Sequence, residues 1–213
     1  MGVIGSTGSG KSTLISLILR FYDVKSGAVY LDGVNVKEYP LGGLRQKVGL
    51  VPQAPMLFSG TLRENLTFGK EDATDEEIIE ALKTAQAWEF VQKLPDGLST
   101  RVSRGGRNFS GGQRQRLTIA RALVGKPSLL ILDDAASALD YATDANLRKA
   151  LSALPFAPAV IFISQRAFSL GHADAILVLE DGEQVGYGTH EELLSSCEVY
   201  REICSSQTKD EEV

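Results

Sequence analysis

Gly5-Ser6-Thr7-Gly8-Ser9-Gly10-Lys11-Ser12-Thr13 sets glycines, one lysine and several hydroxyls at spacings suited to gripping a polyphosphate. Glycine lets the backbone take positive φ and come close to a ligand. The amides of such a loop, closing on a helix N-terminus, point inward and cradle phosphate oxygens. Lys11 is expected to bring its charge to the β- and γ-phosphates, and the Ser12 hydroxyl to ligate Mg2+. Val3-Ile4 before the loop read as the end of a strand, and Leu14 to Leu19 after it as the start of a helix. That is the setting the motif needs.

Three further stretches carry chemistry. Leu129-Leu130-Ile131-Leu132 is a continuous apolar run, as in a strand buried on both faces, and it ends in Asp133-Asp134. Two carboxylates at the end of a central strand are costly to bury without a counter-charge, so they read as a Mg2+ holder and its neighbour. Val48 to Val51 reads as a short strand stopped by Pro52, delivering Gln53 to the carboxyl end where ligand groups gather in open α/β sheets. Taken alone, Gln53 reads equally as a solvated loop residue. Ser110-Gly111-Gly112-Gln113, preceded by Phe109 and followed by a helical pattern from Arg114 to Val124, forms a second capped helix N-terminus able to hold an anion. One nucleotide needs one cradle, so two imply that each nucleotide is gripped by two subunits. A capped helix without a ligand fits the same residues on physics alone.

The elements that position these groups alternate between strands and helices. Asp32-Gly33 and Asp181-Gly182 are hairpin signals between apolar runs. Residues 60 to 126 read as helical, with Thr74 opening one helix and Trp88 to Leu94 forming another in which Trp88 is expected in the core. Ser137 to Asp140 form a turn before a helix over Ala142 to Leu154, and Ala159 to Ile163 form a strand ending in Ser164-Gln165-Arg166. Thr189 and Glu192 make a capping box around His190, which is expected to be structural. The pattern predicts an α/β fold, a mostly parallel sheet with an inserted helical part and a short antiparallel part. A core over about 1–53 and 127–213 would flank a helical subdomain over about 60–126.

The 213 residues suffice for one domain with its own core, and the net charge of −5 without a basic stripe leaves no footprint for a nucleic acid. No apolar run approaches the length of a membrane-spanning helix. Cys197 and Cys204, seven apart on one expected helix, are set about 10 Å apart and read as reduced thiols. Met1 stands so close to the glycine loop that the first strand is shorter than usual. That predicts a piece of a longer protein, or a start site placed inside one.

In these motifs the chain resembles the nucleotide-binding domain of an ATP-binding cassette (ABC) transporter, a P-loop NTPase fold, over nearly its whole length. The phosphate loop matches Walker A, Gln53 the Q-loop, Ser110 to Gln113 the signature motif with Phe109 in place of the usual Leu, Leu129 to Asp133 Walker B, and Ser137 to Asp140 the D-loop. Phe58 to Leu66 and Gly188 to Leu193 resemble the exporter branch. The resemblance implies ATP and Mg2+ as ligands, with Ser12, Gln53 and Asp133 as the metal set. It also implies a membrane domain ahead of this one, a second nucleotide-binding domain as partner, and a place on the cytoplasmic face of the plasma membrane. The N-terminal strands of the family fold and its adenine-stacking aromatic residue have no counterpart in this sequence.

Two departures stand out. The family places Glu after the Walker B Asp, where this chain has Asp134, and a switch His after the next strand, where this chain has Gln165. Asp withdraws the carboxylate by about 1 Å, and a misplacement of that size costs roughly 10²-fold in rate. Gln donates a hydrogen bond but carries no charge and relays no proton. The expectation is a site that holds Mg·ATP and hydrolyses it slowly or not at all. The nearly intact signature would complete a working site on a different chain, as in bacterial heterodimeric multidrug-type exporters. The alternatives are a homodimeric transporter ATPase with slow sites, or a regulatory module that binds ATP without hydrolysing it. Chromosome and DNA-repair ATPases of similar motifs need a long coiled coil between Thr13 and Phe109, for which there is no room.

Overall fold

The computed structural model describes residues 1–135 and 137–210. In chain order the elements are β1 (Gly2–Ile4), α1 (Lys11–Ile18), β2 (Tyr30–Leu31), β3 (Val34–Asn35), α2 (Leu41–Lys47), β4 (Val48–Val51), β5 (Gly60–Thr61), α3 (Leu62–Leu66), α4 (Asp75–Thr84) and α5 (Trp88–Val91). They continue with β6 (Arg101–Val102), α6 (Gly111–Val124), β7 (Leu129–Asp133), α7 (Tyr141–Ser152), β8 (Ala159–Ile163), β9 (Ile176–Glu180), β10 (Glu183–Gly188), α8 (His190–Ser196) and α9 (Glu198–Asp210). The chain divides into two compact units. One comprises Met1–Leu44, Ile131–Asp134 and Val160–Val213, the other Arg45–Leu130 and Ala135–Ala159.

The first unit is built on a sheet whose strands follow the order β10-β9-β1-β8-β7. β1 lies parallel to both β8 and β9, and β10 returns antiparallel to β9. β1 is buried throughout, which is why Gly2-Val3-Ile4 carries no polar alternation. β10 is the edge strand, and its charged start and a bulge between Gln184 and Gly186 keep it from templating further pairing. Both expected hairpins form. Asp32 and Gly33 have φ of 51° and 75°, Asp181 and Gly182 48° and 83°, as two-residue turns between twisted strands require. α1 is shorter than the sequence pattern suggested and ends at Ile18, with Arg20 at φ 51°.

The end of this unit differs from expectation. Cys197 and Cys204 do not share a helix: Cys197 has extended backbone dihedrals at the close of α8, and α9 begins with the next residue. Neither cysteine forms a disulfide. The break turns α9 so that Tyr200 is wholly buried among Ile4, Leu170, Ile176, Val178 and Leu193. Its hydroxyl meets His190 Nδ1 at 2.8 Å, giving His190 the structural role expected of it.

The second unit holds most of the helices. It is not purely helical across 60–126, because β5 and β6 pair antiparallel, Gly60 opposite Val102 and Thr61 opposite Arg101. Thr61, Thr74 and Ser110 each open a helix with a reciprocal capping box. α4 packs on α6, burying Ile78, Leu82, Leu117 and Ile119 completely. Trp88 is only half-buried, at the start of a four-residue helix whose buried side chain is Val91. Glu77 joins two segments of this unit, accepting from Lys70 Nζ at 2.7 Å and from Lys126 Nζ at 2.9 Å. Those bonds, with the Thr74 amide, hold its carboxyl at about 2, well below the ordinary 4.5.

Tyr200→Phe removes the hydroxyl that meets His190 and also bonds Cys204, and is expected to cost about 1–2 kcal/mol, whereas Tyr200→Ala opens a cavity and costs about 3–5 kcal/mol, read by urea unfolding. Because the folded Glu77 carboxyl is depressed, its contribution is present above pH 4.5 and is lost as pH falls toward 2. Unfolding curves at pH 6 and pH 3 should therefore show Glu77→Gln losing less stability on acidification than the unmodified chain.

Candidate functional site

The loop from Gly5 to Thr13 joins β1 to α1 within the first unit. α1 starts without a side-chain cap: Gly10 precedes it at φ 103°, so the first-turn amides stay open toward the loop. Gly8 is also left-handed, at φ 86°. The Lys11 ammonium folds back onto its own loop, donating to Gly5 O and Ser6 O at 2.7 Å and to Ser9 Oγ at 3.3 Å. Ser9 is buried, and Ser6, Thr7, Ser12 and Thr13 are exposed.

The close of β9 and the turn after it brace the loop. A Cβ on Gly5 would stand 2.2 Å from Leu179 O and 2.4 Å from Ser9 Oγ, and the Gly182 amide donates to Ser9 O at 3.1 Å. The Asp181-Gly182 hairpin is legible in the sequence, but this use of it is not, since no local signal ties a turn to a loop so far away in the chain.

β7 ends in Asp133, and the ladder runs one residue further, the Asp134 amide donating to Ile163 O at 2.8 Å. Asp134 has φ 48°, a left-handed conformation that Asp tolerates better than most side chains. Both carboxylates are half-buried. Burial and the like charge of Asp134 push the Asp133 carboxyl above its ordinary value, with Lys11 pulling it down. Burial lowers the Lys11 ammonium, against the pull of Asp133 and then Asp134. The electrostatic coupling places loop lysine and strand-end carboxylates in one local field. A half-buried pair of acids in the field of the loop lysine, with the exposed Ser12 hydroxyl next to that lysine in the chain, fits a hard, oxygen-seeking cation. Among the described residues no cluster of three His, Cys, Asp or Glu side chains forms a self-sufficient metal site, so phosphate oxygens would have to complete such a set.

Gln165 is exposed in the turn that leaves β8, also in the first unit. That turn is tied at Ser164, whose amide donates to Val3 O at 3.1 Å and whose hydroxyl accepts from the Arg166 amide at 2.9 Å. His172 lies exposed in a later turn.

The second unit carries the remaining candidates. Gln53 is exposed beyond the end of β4. Ser110 caps α6, its hydroxyl accepting from the Gln113 amide at 3.2 Å while Gln113 Oε1 accepts from the Ser110 amide at 2.9 Å. Both side chains are thereby engaged, and the Gly111 and Gly112 amides lie outside the cap. A Cβ on Gly112 would come within 3.2 Å of Ala138 O, so the helix start abuts the turn that holds Ser137. Phe109 is buried and packs near Phe90, whose ring carries the Arg116 guanidinium 5.1 Å from its centre. Its exchange for Leu is thus a matter of core packing. Asp140 caps α7 through the Thr143 amide and hydroxyl, bonds that hold its carboxyl below the ordinary value.

The family pattern described as ABC transporter matches residues 1–137. The chain belongs to the ABC transporter family. An uncharacterised ABC transporter ATP-binding protein of Mycobacterium tuberculosis is 49% identical over 209 residues, 97% of this chain and 36% of that protein. A Staphylococcus aureus protein named for multidrug export, an ATP-binding/permease protein, is 45% identical over 204 residues, 96% of this chain and 35% of its own length. This ABC transporter chain thus spans about a third of the length of the relatives it matches. Among solved structures, a bacterial Atm1-family ABC exporter with ATP bound superposes with a TM-score of 0.91 at 35% identity, covering 97% of this chain and 36% of that one. No described helix of this ABC transporter chain is long and apolar enough to cross a membrane.

The two loop glycines separate steric from conformational demand. Gly5→Ala drives a methyl group into Leu179 O and should lower the thermal midpoint by more than about 4 °C. At Gly8 an added Cβ meets nothing within 4 Å, so Gly8→Ala should cost only the left-handed penalty of about 1–2 kcal/mol. Parallel thermal melts check the order.

Proposed function

We propose that this chain is the ATP-binding domain of an ABC exporter, and that its own site holds Mg·ATP but hydrolyses it slowly. The observation that carries the reading is the join of an intact phosphate loop to altered water-activating groups. Lys11 lies in one field with Asp133 and Asp134, while Asp134 and Gln165 stand where the family has Glu and His.

The proposed roles follow from the chemistry of each group. The loop amides and the α1 N-terminus bind the β- and γ-phosphates, and Lys11 exchanges loop oxygens for phosphate oxygens. Ser12 and Asp133 would hold Mg2+, which when bound neutralises charge on the phosphate oxygens. Asp134 orients the attacking water and accepts its proton, from a carboxylate set back by about 1 Å relative to Glu, which costs roughly 10²-fold. Gln165 donates a neutral hydrogen bond toward the γ-phosphate. The parts proposed for Gln53, Ser137 and Asp140 rest on motif order alone.

Ser110 to Gln113 are proposed to close over the nucleotide of a partner domain that carries the Glu and His this chain lacks. The relative named for multidrug export and the exporter with ATP bound support transport out of the cell. On this reading a membrane domain belongs with the chain, which would stand at the cytoplasmic face of the plasma membrane.

The test uses the complete transporter with the partner's Glu inactivated, so that only this site can turn over. Turnover is expected to be about 10²-fold below that of the partner's site and to rise on combining Asp134→Glu with Gln165→His. Equal turnover at the two sites before any change would overturn the slow-site reading.

A further inference from the structure

A glutamine far along the chain grips the turn that carries Gln165. Gln207, on α9, accepts from the Ala167 amide through Oε1 at 2.9 Å and donates from Nε2 to the Gln165 carbonyl at 2.6 Å. Both ends of one amide are used, and each meets the complementary main-chain group, so the side chain fits in one orientation only. With the Ser164 bonds to Val3 O and to the Arg166 amide, the main chain is fixed on both sides of Gln165 while its side chain stays exposed. α9 in turn is anchored by buried Tyr200, with Ile203 and Cys204 packed against the same core.

We propose that Gln207 is a positioning residue for Gln165, and that the docked C-terminal helix thereby sets the γ-phosphate contact of this site. The proposal rests on the reading of Gln165 as a γ-phosphate donor. ADP lacks that phosphate, so the cradle at Lys11 grips both nucleotides whereas Gln165 distinguishes ATP from ADP. Loosening the turn should erode the preference for ATP and leave ADP binding alone.

The experiment measures ATP and ADP affinities and amide hydrogen exchange on the chain at its full natural length. Gln207→Leu is expected to lower the ATP-over-ADP preference about fivefold, the worth of one neutral hydrogen bond, with ADP affinity unchanged. It should also speed exchange at the Ala167 amide. In a Gln165→Ala background the same change should add nothing. Gln207→Glu keeps the acceptor for Ala167 but sets a carboxylate against the Gln165 carbonyl, so it should retain amide protection and still lose the preference. ATP and ADP affinities falling together, or independent losses in the double variant, would overturn the positioning role. If the unmodified protein binds neither nucleotide, the ATP reading fails on its own. The grip is then judged by Ala167 exchange, and an unchanged rate in Gln207→Leu refutes it.

Discussion

The lysine ammonium enclosed by oxygens of its own loop sets the terms for the first unit. Lys11 reaches Gly5 O, Ser6 O and Ser9 Oγ only if the loop curls tightly, and the curl is possible only where the start of the loop carries no side chain. The carbonyl of Leu179 occupies the place a Cβ would need, and the turn after β9 completes the support through the Gly182 amide. A left-handed hairpin near the end of the chain therefore determines the shape of a loop near its beginning. Parallel pairing of β1 with β9 brings the two together.

Charge balance at the end of β7 follows from that placement. Asp133 and Asp134 repel each other in a half-buried position, and the lysine offsets part of the cost. The arrangement conserves an electrostatic demand that a cation and a polyphosphate can meet together. The backbone at Asp134 adds a second constraint, since left-handed dihedrals are better tolerated by Asp, with its short polar side chain, than by most residues. A shortened carboxylate and an unusual backbone conformation coincide at the same residue.

Much of this was legible in local chemistry. The capping residues Thr74, Ser110 and Thr189, both Asp-Gly hairpins, strands β4 and β8, and the apolar run into Asp133 are each specified by a few neighbouring residues, and each forms. What escaped depends on distant partners. β5 and β6 are too short to show a two-residue alternation, and exist because Gly60-Thr61 meets Arg101-Val102. The break at Cys197 has no glycine or proline to announce it, and arises where α8 ends against β10, with Cys197 Sγ directed at Val185 O. Trp88, expected in the core, sits at the start of a helix too short to bury it. The site itself divides the same way: the loop and the acids could be read from their spacing, but the bracing of the loop by Leu179 and Gly182, and of the turn at Gln165 by Gln207, could not.

The break at Cys197 also makes α9 a measuring rod. Tyr200 and Gln207 lie two helical turns apart on one face, the first seated in the core and the second on the turn after β8. One residue inserted between them would leave Tyr200 in place and swing Gln207 by about 100° around the helix, away from both of its partners. The exposed side chains of this segment, unlike Ile203 and Cys204, can vary widely as long as its length does not. The count of residues from core anchor to turn is then the quantity that natural variation in this tail must preserve.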